Sequence, residues 1–323
     1  MSAPKRLSWK TAVLSGPGPQ NLRASAILFC KGLAMGCADL VPGVSGGTVA
    51  LITGIYAELL KAISSVGDGL KYFALLQFRQ GLSAIHLRFL ASLGLGIGMA
   101  IIGLARLMHY LLGQYPVPTW GFFFGLVAAS ILVVGTESNT WRKGLLQFSV
   151  GTAIAYFIVG MIPVSTPEAL WFIFLSGMIA ICAMILPGIS GAFLLLILGK
   201  YQFITGTLKN PFSGENILII AIFAIGCATG ILGFSRFLSY MMDRHRNNTM
   251  ALLTGVMLGS MRKIWPWKET LDSIIINGKV YILSTKNILP TQLDTEFVST
   301  LGLALAGFIL VLLLQRYSQQ AQV

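Results

Sequence analysis

The chain has 323 residues and a formal net charge of +12, yet only 11% of its residues are charged and 55% are hydrophobic. A soluble domain carries about 25% charged residues, so this composition excludes an ordinary soluble protein and predicts an all-α polytopic membrane protein. The basic excess is typical of loops that face an anionic cytoplasmic leaflet, and no nucleic-acid-binding module accompanies it. Membrane lipids, and not nucleic acid, are the expected surroundings.

Apolar segments follow one another along the chain, and Pro-Gly interrupts two of them. After a basic N-terminal tail, residues 1–25, they cover residues 26–61 (interrupted), 89–112, 119–136, 145–162, 169–199 (interrupted), 217–242, 249–261 and 298–315. The arms of the interrupted segments are shorter than the roughly 20 residues of a spanning helix, so each segment predicts a re-entrant hairpin. Non-helical backbone is tolerated at membrane depth only inside protein or against a wet cavity, so both interruptions should face inward.

The connecting loops indicate an orientation. Basic residues lie between residues 61 and 88, at 142–143 and at 244–246, whereas the loop GQYPVP at 113–118 is uncharged. Because short cytoplasmic loops are enriched in Lys and Arg, this alternation predicts that both termini are cytoplasmic. The long loop 262–297 would then lie outside, with Trp265 and Trp267 as an interfacial anchor.

Two stretches of the chain resemble each other. PGVSG at 42–46 matches PGISG at 187–191, and GMAIIGLARLMHY matches CATGILGFSRFLSY further on. The matches predict a first repeat at 26–165 and a second at 166–318, each a hairpin plus about three spans, before a short C-terminal tail, 319–323. An odd number of crossings inverts the second unit, which is the inverted-repeat plan of secondary transporters.

The interruptions suggest an anion site, because a new helix begins after each Pro-Gly. Helix N-termini offer unpaired N–H groups and partial positive charge, glycines allow close approach, and hydroxyl groups add donors. The alternatives are a structural turn for the interruptions and arginines that reach to the interface for the spans. The candidate phosphate-binding residues are Gly43, Ser45, Gly46, Gly47, Thr48, Gly188, Ser190, Gly191, Arg106 and Arg236.

Four further residues are candidates for coupling or gating. Asp39 precedes the first interruption and could bind the turn, carry a proton or pair with Arg106. We expect Glu58 at the surface and His109 packed against neighbouring side chains. Lys200 is expected at the outer mouth of the site, where it would attract anions. No catalytic, metal or cofactor set is expected, and the sequence leaves open whether H⁺ or Na⁺ is the coupling ion.

The segments KGLAMGCADLVPGVSGGTVALITGIY, LPGISGAFLLLILGKY and LLTGVMLGSMRKIWPW carry a resemblance to a known family. The chain resembles the bacterial membrane family, formerly a domain of unknown function, that is associated with undecaprenyl-phosphate translocation (the PopT family). The resemblance implies an inner-membrane flippase that returns undecaprenyl phosphate to the inner leaflet for peptidoglycan and other envelope polymers. The matching positions are Asp39, Pro42, Gly43, Ser45, Gly46, Gly47, Thr48, Pro187, Gly188, Ser190 and Gly191.

Residue chemistry alone leaves rival functions open. A secondary transporter for a small soluble anion would use the same helix ends without needing a lateral opening for a lipid. An undecaprenyl-diphosphate phosphatase would want clustered carboxylates or an activated nucleophile, and the segments offer only Asp39 and Glu58. An inert scaffold is disfavoured because two interruptions at membrane depth need compensation. Whether the chain forms a homodimer is left open.

Overall fold

The computed structural model describes residue 9 and residues 16–41, 44–138, 140–276, 279–290 and 292–320. Within these ranges the chain is mostly helical, and four helices are long and apolar enough to cross a membrane: Leu87–Gln114, Pro116–Glu137, Gly214–Arg244 and Thr295–Arg316. Two shorter apolar helices, Leu145–Val159 and Leu170–Ile185, accompany them. The prediction of a multi-pass helical membrane protein is therefore confirmed.

The elements follow the apolar segments of the sequence closely. They are α1 (Leu22–Asp39), α2 (Gly46–Ile52), α3 (Tyr56–Ala74), α4 (Phe78–Ala84), α5 (Leu87–Gln114), α6 (Pro116–Glu137), α7 (Thr140–Lys143), α8 (Leu145–Val159), α9 (Leu170–Ile185), α10 (Gly191–Ile197), α11 (Tyr201–Thr207), α12 (Gly214–Arg244), α13 (Arg246–Ile264), β1 (Lys268–Ile276), β2 (Lys279–Asn287) and α14 (Thr295–Gln320).

Both predicted interruptions are real breaks in the helices. The first separates α1 from α2, and the second separates α9 from α10. Two residues after the end of each short helix that follows is a glycine with a left-handed backbone, Gly54 with φ 74° and Gly199 with φ 64°. Only glycine adopts this conformation without strain, so these two positions fix where α3 and α11 begin. Pro42 and Gly43 lie outside the described residues.

Glycine contacts bring the helices close together in pairs. α1 packs against α5, α9 against α12, α6 against α14 and α8 against α13. A Cβ atom at Gly96 of α5 would lie 2.2 Å from the carbonyl oxygen of Phe29, and one at Gly226 of α12 would lie 2.1 Å from that of Phe174. Small residues allow the helix backbones to approach closely. In a membrane, where lipid is as apolar as the side chains, the van der Waals contacts made by this close packing stabilise helix association.

Two helices, α6 and α13, form the centre of the molecule together with α2. α6 is buried over 67% of its most apolar window, against 22% for α5, 11% for α12 and 17% for α14. α2 is buried along its whole length. The outer helices therefore present apolar side chains outward, as lipid contact requires, while the break after α1 is carried into the protein interior.

The segment between α13 and α14 departs from the all-helical prediction. β1 and β2 pair as an antiparallel hairpin within residues 262–297, for which the sequence predicts a loop. The overlooked signal was Asn277-Gly278 between two runs rich in β-branched residues, a combination typical of hairpins. Trp265 lies 5.3 Å from Phe124 between ring centroids and donates from Nε1 to the carbonyl of Ile288 at 2.9 Å. The tryptophan thus attaches this hairpin to α6.

Replacing Gly125 with alanine is expected to destabilise the fold. The added Cβ would lie 1.8 Å from the carbonyl oxygen of Ala304, so α6 and α14 would have to separate. Overpacking of this kind destabilises by about 1–3 kcal/mol, which should lower the melting temperature of the purified protein in detergent. Gly302→Ala on α14 is the control, because a Cβ there meets no heavy atom within 4 Å. Equal melting temperatures for both variants would contradict this packing.

Candidate functional site

The two breaks contact each other. The Ser45 hydroxyl lies 3.2 Å from the carbonyl oxygen of Met184 and 3.1 Å from that of Leu186, and it donates to this pair. The Tyr56 hydroxyl donates to the carbonyl of Ile185 at 3.2 Å. A helix leaves its last carbonyl groups without intrahelical partners, so the first hairpin satisfies the end of α9. Two segments about 140 residues apart thereby form one buried site.

The N-terminus of α2 is occupied by the chain's own groups. The backbone N–H of Gly46 donates to Asp39 Oδ1 at 2.7 Å, and that of Gly47 donates to Ser45 Oγ at 3.1 Å. The next amide, of Thr48, donates to the carbonyl of Ser45 at 2.9 Å. Of the roles considered for Asp39, the structure therefore shows the contact with the turn. Its carboxylate occupies the place that a helix N-terminus offers to an anion.

Thr48 is the exception in this site. Its side chain is fully buried, at 0% exposure, and its Oγ1 has no hydrogen-bond partner among the described residues. Buried hydroxyl groups are nearly always paired with protein or water, so an unpaired one needs an explanation. It lies on the first turn of α2, two residues from the amide that Asp39 binds. The Thr48 hydroxyl group is therefore free to form a hydrogen bond with a polar ligand.

The second break is built differently from the first. Gly188 has φ 92°, and a Cβ there would lie 2.6 Å from Ser260 Oγ of α13. A Cβ at Gly191 would lie 2.4 Å from the carbonyl oxygen of Ala180. Ser190 precedes α10, but its side chain makes no capping hydrogen bond and is only half buried. At this break the two glycines are therefore tightly packed, and the hydroxyl group of Ser190 makes no capping hydrogen bond.

The two candidate arginines lie elsewhere. Arg236 forms an ion pair with Asp68 of α3 at 3.0 Å, and near it Lys61 pairs with Asp243 at 2.9 Å. Arg106 is exposed on α5. The described contacts of Arg236 therefore join α3 to α12 and do not include the breaks. A role for either arginine in phosphate binding stays a prediction.

The contacts described for His109, Glu58 and Lys200 do not include the residues of the breaks. His109 is exposed on α5. Glu58 is exposed and lines a cavity of about 340 Å³ with Lys31, whose ammonium donates to the carbonyl of Thr53 at 2.8 Å. Lys200 is only 2% exposed and donates to the carbonyl of Thr166 at 2.8 Å. The ammonium group of Lys200 is therefore buried against a backbone carbonyl, whereas the sequence predicts an open position at the outer mouth.

Two lysines at the start of the predicted loop 262–297 lie beside the second hairpin and α6. Lys263 Nζ lies 4.4 Å from the ring centroid of Phe193 on α10, and Lys268 Nζ lies 4.4 Å from that of Trp120 on α6. Lys268 also donates to the carbonyl of Lys263. Burial, and then the neighbouring charge of Lys263, lowers the pKa of Lys268 to about 7. In the sequence, only their positions on either side of Trp265-Pro266-Trp267 indicate that the two lysines could lie near each other.

An apolar cavity opens beside the first break. It has a volume of about 790 Å³ and lies between α1, α2, α5, α6 and α14. Ala38 and Val49, which flank the break, line one part of it, while Leu303 and Leu310 of α14 line another.

Among the described residues, no cluster of three His, Cys, Asp or Glu side chains could hold a metal ion.

These features define a class: a polytopic helical membrane protein with two broken hairpins that meet inside the bundle, an arrangement typical of secondary transporters. The chain belongs to the undecaprenyl phosphate translocase-like family, whose model matches residues 35–280. This membership confirms the resemblance carried by the two Pro-Gly segments.

Two relatives cover nearly the whole chain. A protein of Vibrio cholerae serotype O1 named polyprenyl-phosphate transporter is 40% identical over 306 residues, which is 90% of this chain and 96% of the relative. A Staphylococcus aureus protein of the same name is 31% identical over 312 residues, covering 91% and 97%. No solved structure shows significant similarity to the chain.

Proposed function

We propose that this protein returns undecaprenyl phosphate, or a related polyprenyl phosphate, from the outer to the inner leaflet of the bacterial cytoplasmic membrane. Membership of the translocase-like family and the names of the two relatives support a transporter of this lipid class. The lipid is moved without any bond being broken, so the protein acts as a transporter and not as an enzyme. Both termini are cytoplasmic in this proposal, in keeping with the basic short loops.

The phosphate binds where the two breaks meet. The observation that carries this assignment is the fully buried Thr48 hydroxyl without a described partner, on the same first turn of α2 as the amide of Gly46. A phosphate oxygen placed there would accept hydrogen bonds from both groups. Ser190 of the second break, which has no capping bond, would add another donor. A Cβ at Gly46 would lie 2.6 Å from Asp39 Oδ2, so glycine at this position leaves the space that the head group would take when Asp39 withdraws.

Asp39 and the phosphate compete for the same backbone amide. The carboxylate accepts from Gly46 at 2.7 Å, so a phosphate can take this hydrogen bond only if Asp39 withdraws. Two anions sharing one buried donor repel each other, and protonation of Asp39 removes that repulsion. A proton is therefore the coupling ion in this proposal, bound when the phosphate enters and released when Asp39 returns to Gly46.

An inverted repeat of units 26–165 and 166–318 is supported by matching contacts. α6 packs on α14 as α13 packs on α8, and α1 packs on α5 as α9 packs on α12. The close backbone approaches match residue by residue: Gly32 to Leu93 corresponds to Gly177 to Phe223, and Gly125 to Ala304 corresponds to Gly255 to Phe148. Transporters with such repeats alternate access by rocking one repeat against the other.

The two hairpins have unequal surroundings, as alternating access requires. Tyr56 is 2% exposed and bound to the second break, whereas its counterpart Tyr201 is 39% exposed. α3 is held against α12 by the ion pair of Arg236 with Asp68. In this proposal the contact closes one side of the site, and its opening exposes the site to the other leaflet. Exchange of hairpin conformations between the repeats would interconvert the two states.

The lipid tail remains at the edge of the protein. A polyprenyl chain is too long for the bundle to enclose, so the head group enters while the tail extends into lipid. The apolar cavity beside α1, α5 and α14 adjoins the first break and offers a lateral opening of suitable chemistry.

A leaflet-exposure assay tests the proposed function. Depleting the protein from the bacterium that encodes it should cause undecaprenyl phosphate to accumulate on the outer face, where an antibiotic specific for the phosphate head group detects it. Wild-type protein should reverse the accumulation, and Thr48→Val, which keeps the shape but loses the hydroxyl, should reverse it poorly. Thr229→Val is the control, because Thr229 is exposed and bonds only within α12. Unchanged outer-face lipid after depletion would refute the function, and uptake of labelled inorganic phosphate into lipid-carrier-free vesicles would favour a small-anion transporter.

A further inference from the structure

Lys263 and Lys268 form a pair of cations beside the second hairpin. Lys263 ends α13 and extends over Phe193, and Lys268 begins β1 and extends over Trp120. The side chains of both lysines are partly buried. The hydrogen bond from the ammonium group of Lys268 to the backbone carbonyl of Lys263 connects the strand to the end of the helix.

No described carboxylate pairs with either lysine. The ion pairs in the described part of the chain join Asp68 or Asp243 to other cations on α3 and α12. Two partly buried like charges disfavour each other, and the aromatic rings offset only part of that penalty. Bound negative charge would relieve it. The pair therefore has the chemistry of an anion site that is not filled by the protein itself.

The position of the pair relates it to the breaks. Phe193 lies on the first turn of α10, three residues after Ser190. Lys263 thus contacts the helix that follows the second break. Trp120 lies on α6, the buried helix that also contacts α2. An anion at Lys263 would therefore lie beside the helix that begins at the second break, on the side of the protein that carries the β-hairpin.

We propose that Lys263 and Lys268 form an entry site that captures the phosphate monoester head group of the lipid before it reaches the two breaks. This inference rests on the proposed function. Ammonium groups bind phosphate as strong charge-assisted donors, and the aromatic rings beneath them hold the lysine side chains in place. The entry site supplies affinity for the lipid at the membrane surface, while the breaks supply the transport path.

The dependence of transport on lipid density tests this assignment. Purified full-length protein in vesicles would transport farnesyl phosphate, a short polyprenyl phosphate, added to the side that carries the β-hairpin. Lys263→Gln and Lys268→Gln are each expected to raise the half-saturating density about tenfold, with little change in maximal rate. Lys263→Arg should keep the density near wild type. Lys209→Gln is the matched control, because Lys209 is exposed near the end of α11.

The outcomes separate the two proposals. Glutamine variants with wild-type density dependence would overturn the entry site while leaving the proposed function intact. A wild-type protein that moves no farnesyl phosphate would instead refute the proposed function. Inorganic phosphate should compete with farnesyl phosphate in the wild type, and this competition should be weaker in the glutamine variants. Equal competition in the wild type and the glutamine variants would overturn the entry site.

The pH profile provides a second test. The groups that face Lys268 are Lys263, Trp120 and its strand partner Asn287, while the neighbouring Glu269 is exposed. With a pKa of about 7, Lys268 is cationic below pH 7 and loses its charge as the pH rises through that value. The half-saturating density should therefore rise between about pH 6.5 and 8.5 in the wild type. Lys268→Arg should abolish this rise, and an unchanged profile in that variant would overturn the assignment.

Discussion

Asp39→Asn is expected to uncouple transport from a proton gradient. In the structure the Asp39 carboxylate accepts from the amide of Gly46 at 2.7 Å, and asparagine can keep that hydrogen bond without charge. A side chain that cannot bind a proton cannot alternate between repelling and admitting the phosphate. The variant should exchange lipid down its own gradient but should not accumulate it.

The size of this effect follows from the gradient. A difference of about two pH units corresponds to about 2.7 kcal/mol, which supports accumulation of up to about 100-fold if one proton moves with each lipid. Wild-type vesicles should approach that ratio, and Asp39→Asn vesicles should remain near equal distribution. Labelled farnesyl phosphate measured on both sides of the vesicle membrane gives the ratio directly.

Asp294→Asn is the matched control for this experiment. Asp294 also accepts from a backbone amide, that of Phe297 at 2.9 Å, but it lies exposed before α14. This variant should accumulate lipid as the wild type does. Gradient-driven accumulation by Asp39→Asn would show that another group carries the proton and would remove Asp39 from the mechanism.

Gly47→Ala is expected to abolish most transport while leaving the protein folded. The added Cβ would lie 2.6 Å from the carbonyl oxygen of Ile185 and 3.2 Å from Ser45 Oγ. Because the first of these atoms belongs to the backbone of the second hairpin, the two breaks would have to separate. A separation of this kind costs about 1–3 kcal/mol, and misplaced phosphate donors should lower the transport rate by at least about tenfold.

Initial transport rates and melting temperatures of the purified variants measure the two effects separately. Gly103→Ala on α5 is the control, because a Cβ there meets no heavy atom within 4 Å. Tyr56→Phe adds no atoms and removes only the hydrogen bond to Ile185, so its effect should be smaller than that of Gly47→Ala. Wild-type transport by Gly47→Ala would mean that close contact between the breaks is not needed.

The helices and their interruptions could be predicted from the sequence because local chemistry decides them. Long apolar runs form helices in lipid, and Pro-Gly in the middle of such a run favours a break in the helix. The matching PGVSG and PGISG stretches therefore located both breaks. The duplicated Gly54 and Gly199 mark the starts of the following helices through their backbone conformation.

The partners of the charged side chains could not be predicted because they are set by long-range packing. Arg236 pairs with Asp68, which is 168 residues away, and no pattern near either residue indicates that contact. Lys200 was expected at an open mouth, but its ammonium is directed to the carbonyl of Thr166. A helical period gives the spacing of residues on a face but not the neighbour that the face meets.

The contact of Asp39 with the turn could be predicted in part from the sequence, whereas the positions of Lys263 and Lys268 could not. An acidic residue that ends the helix before a break can accept hydrogen bonds from the amides of the turn, and this is one of the alternatives that the sequence leaves open. The two lysines flank WPW in a segment that lacks helical periodicity, so nothing in the sequence placed them beside α6 and α10. The β-hairpin that holds Lys268 in position was itself missed.

A cryo-electron microscopy structure of the full chain with undecaprenyl phosphate is the most direct test of the claim that the meeting breaks bind the head group. The account predicts phosphate density within about 3 Å of Thr48 Oγ1 and the Gly46 amide, with the Asp39 carboxylate withdrawn from that amide. Phosphate density at Arg106 or Arg236, with Asp39 still bound to Gly46 and Thr48 still unpartnered, would contradict it.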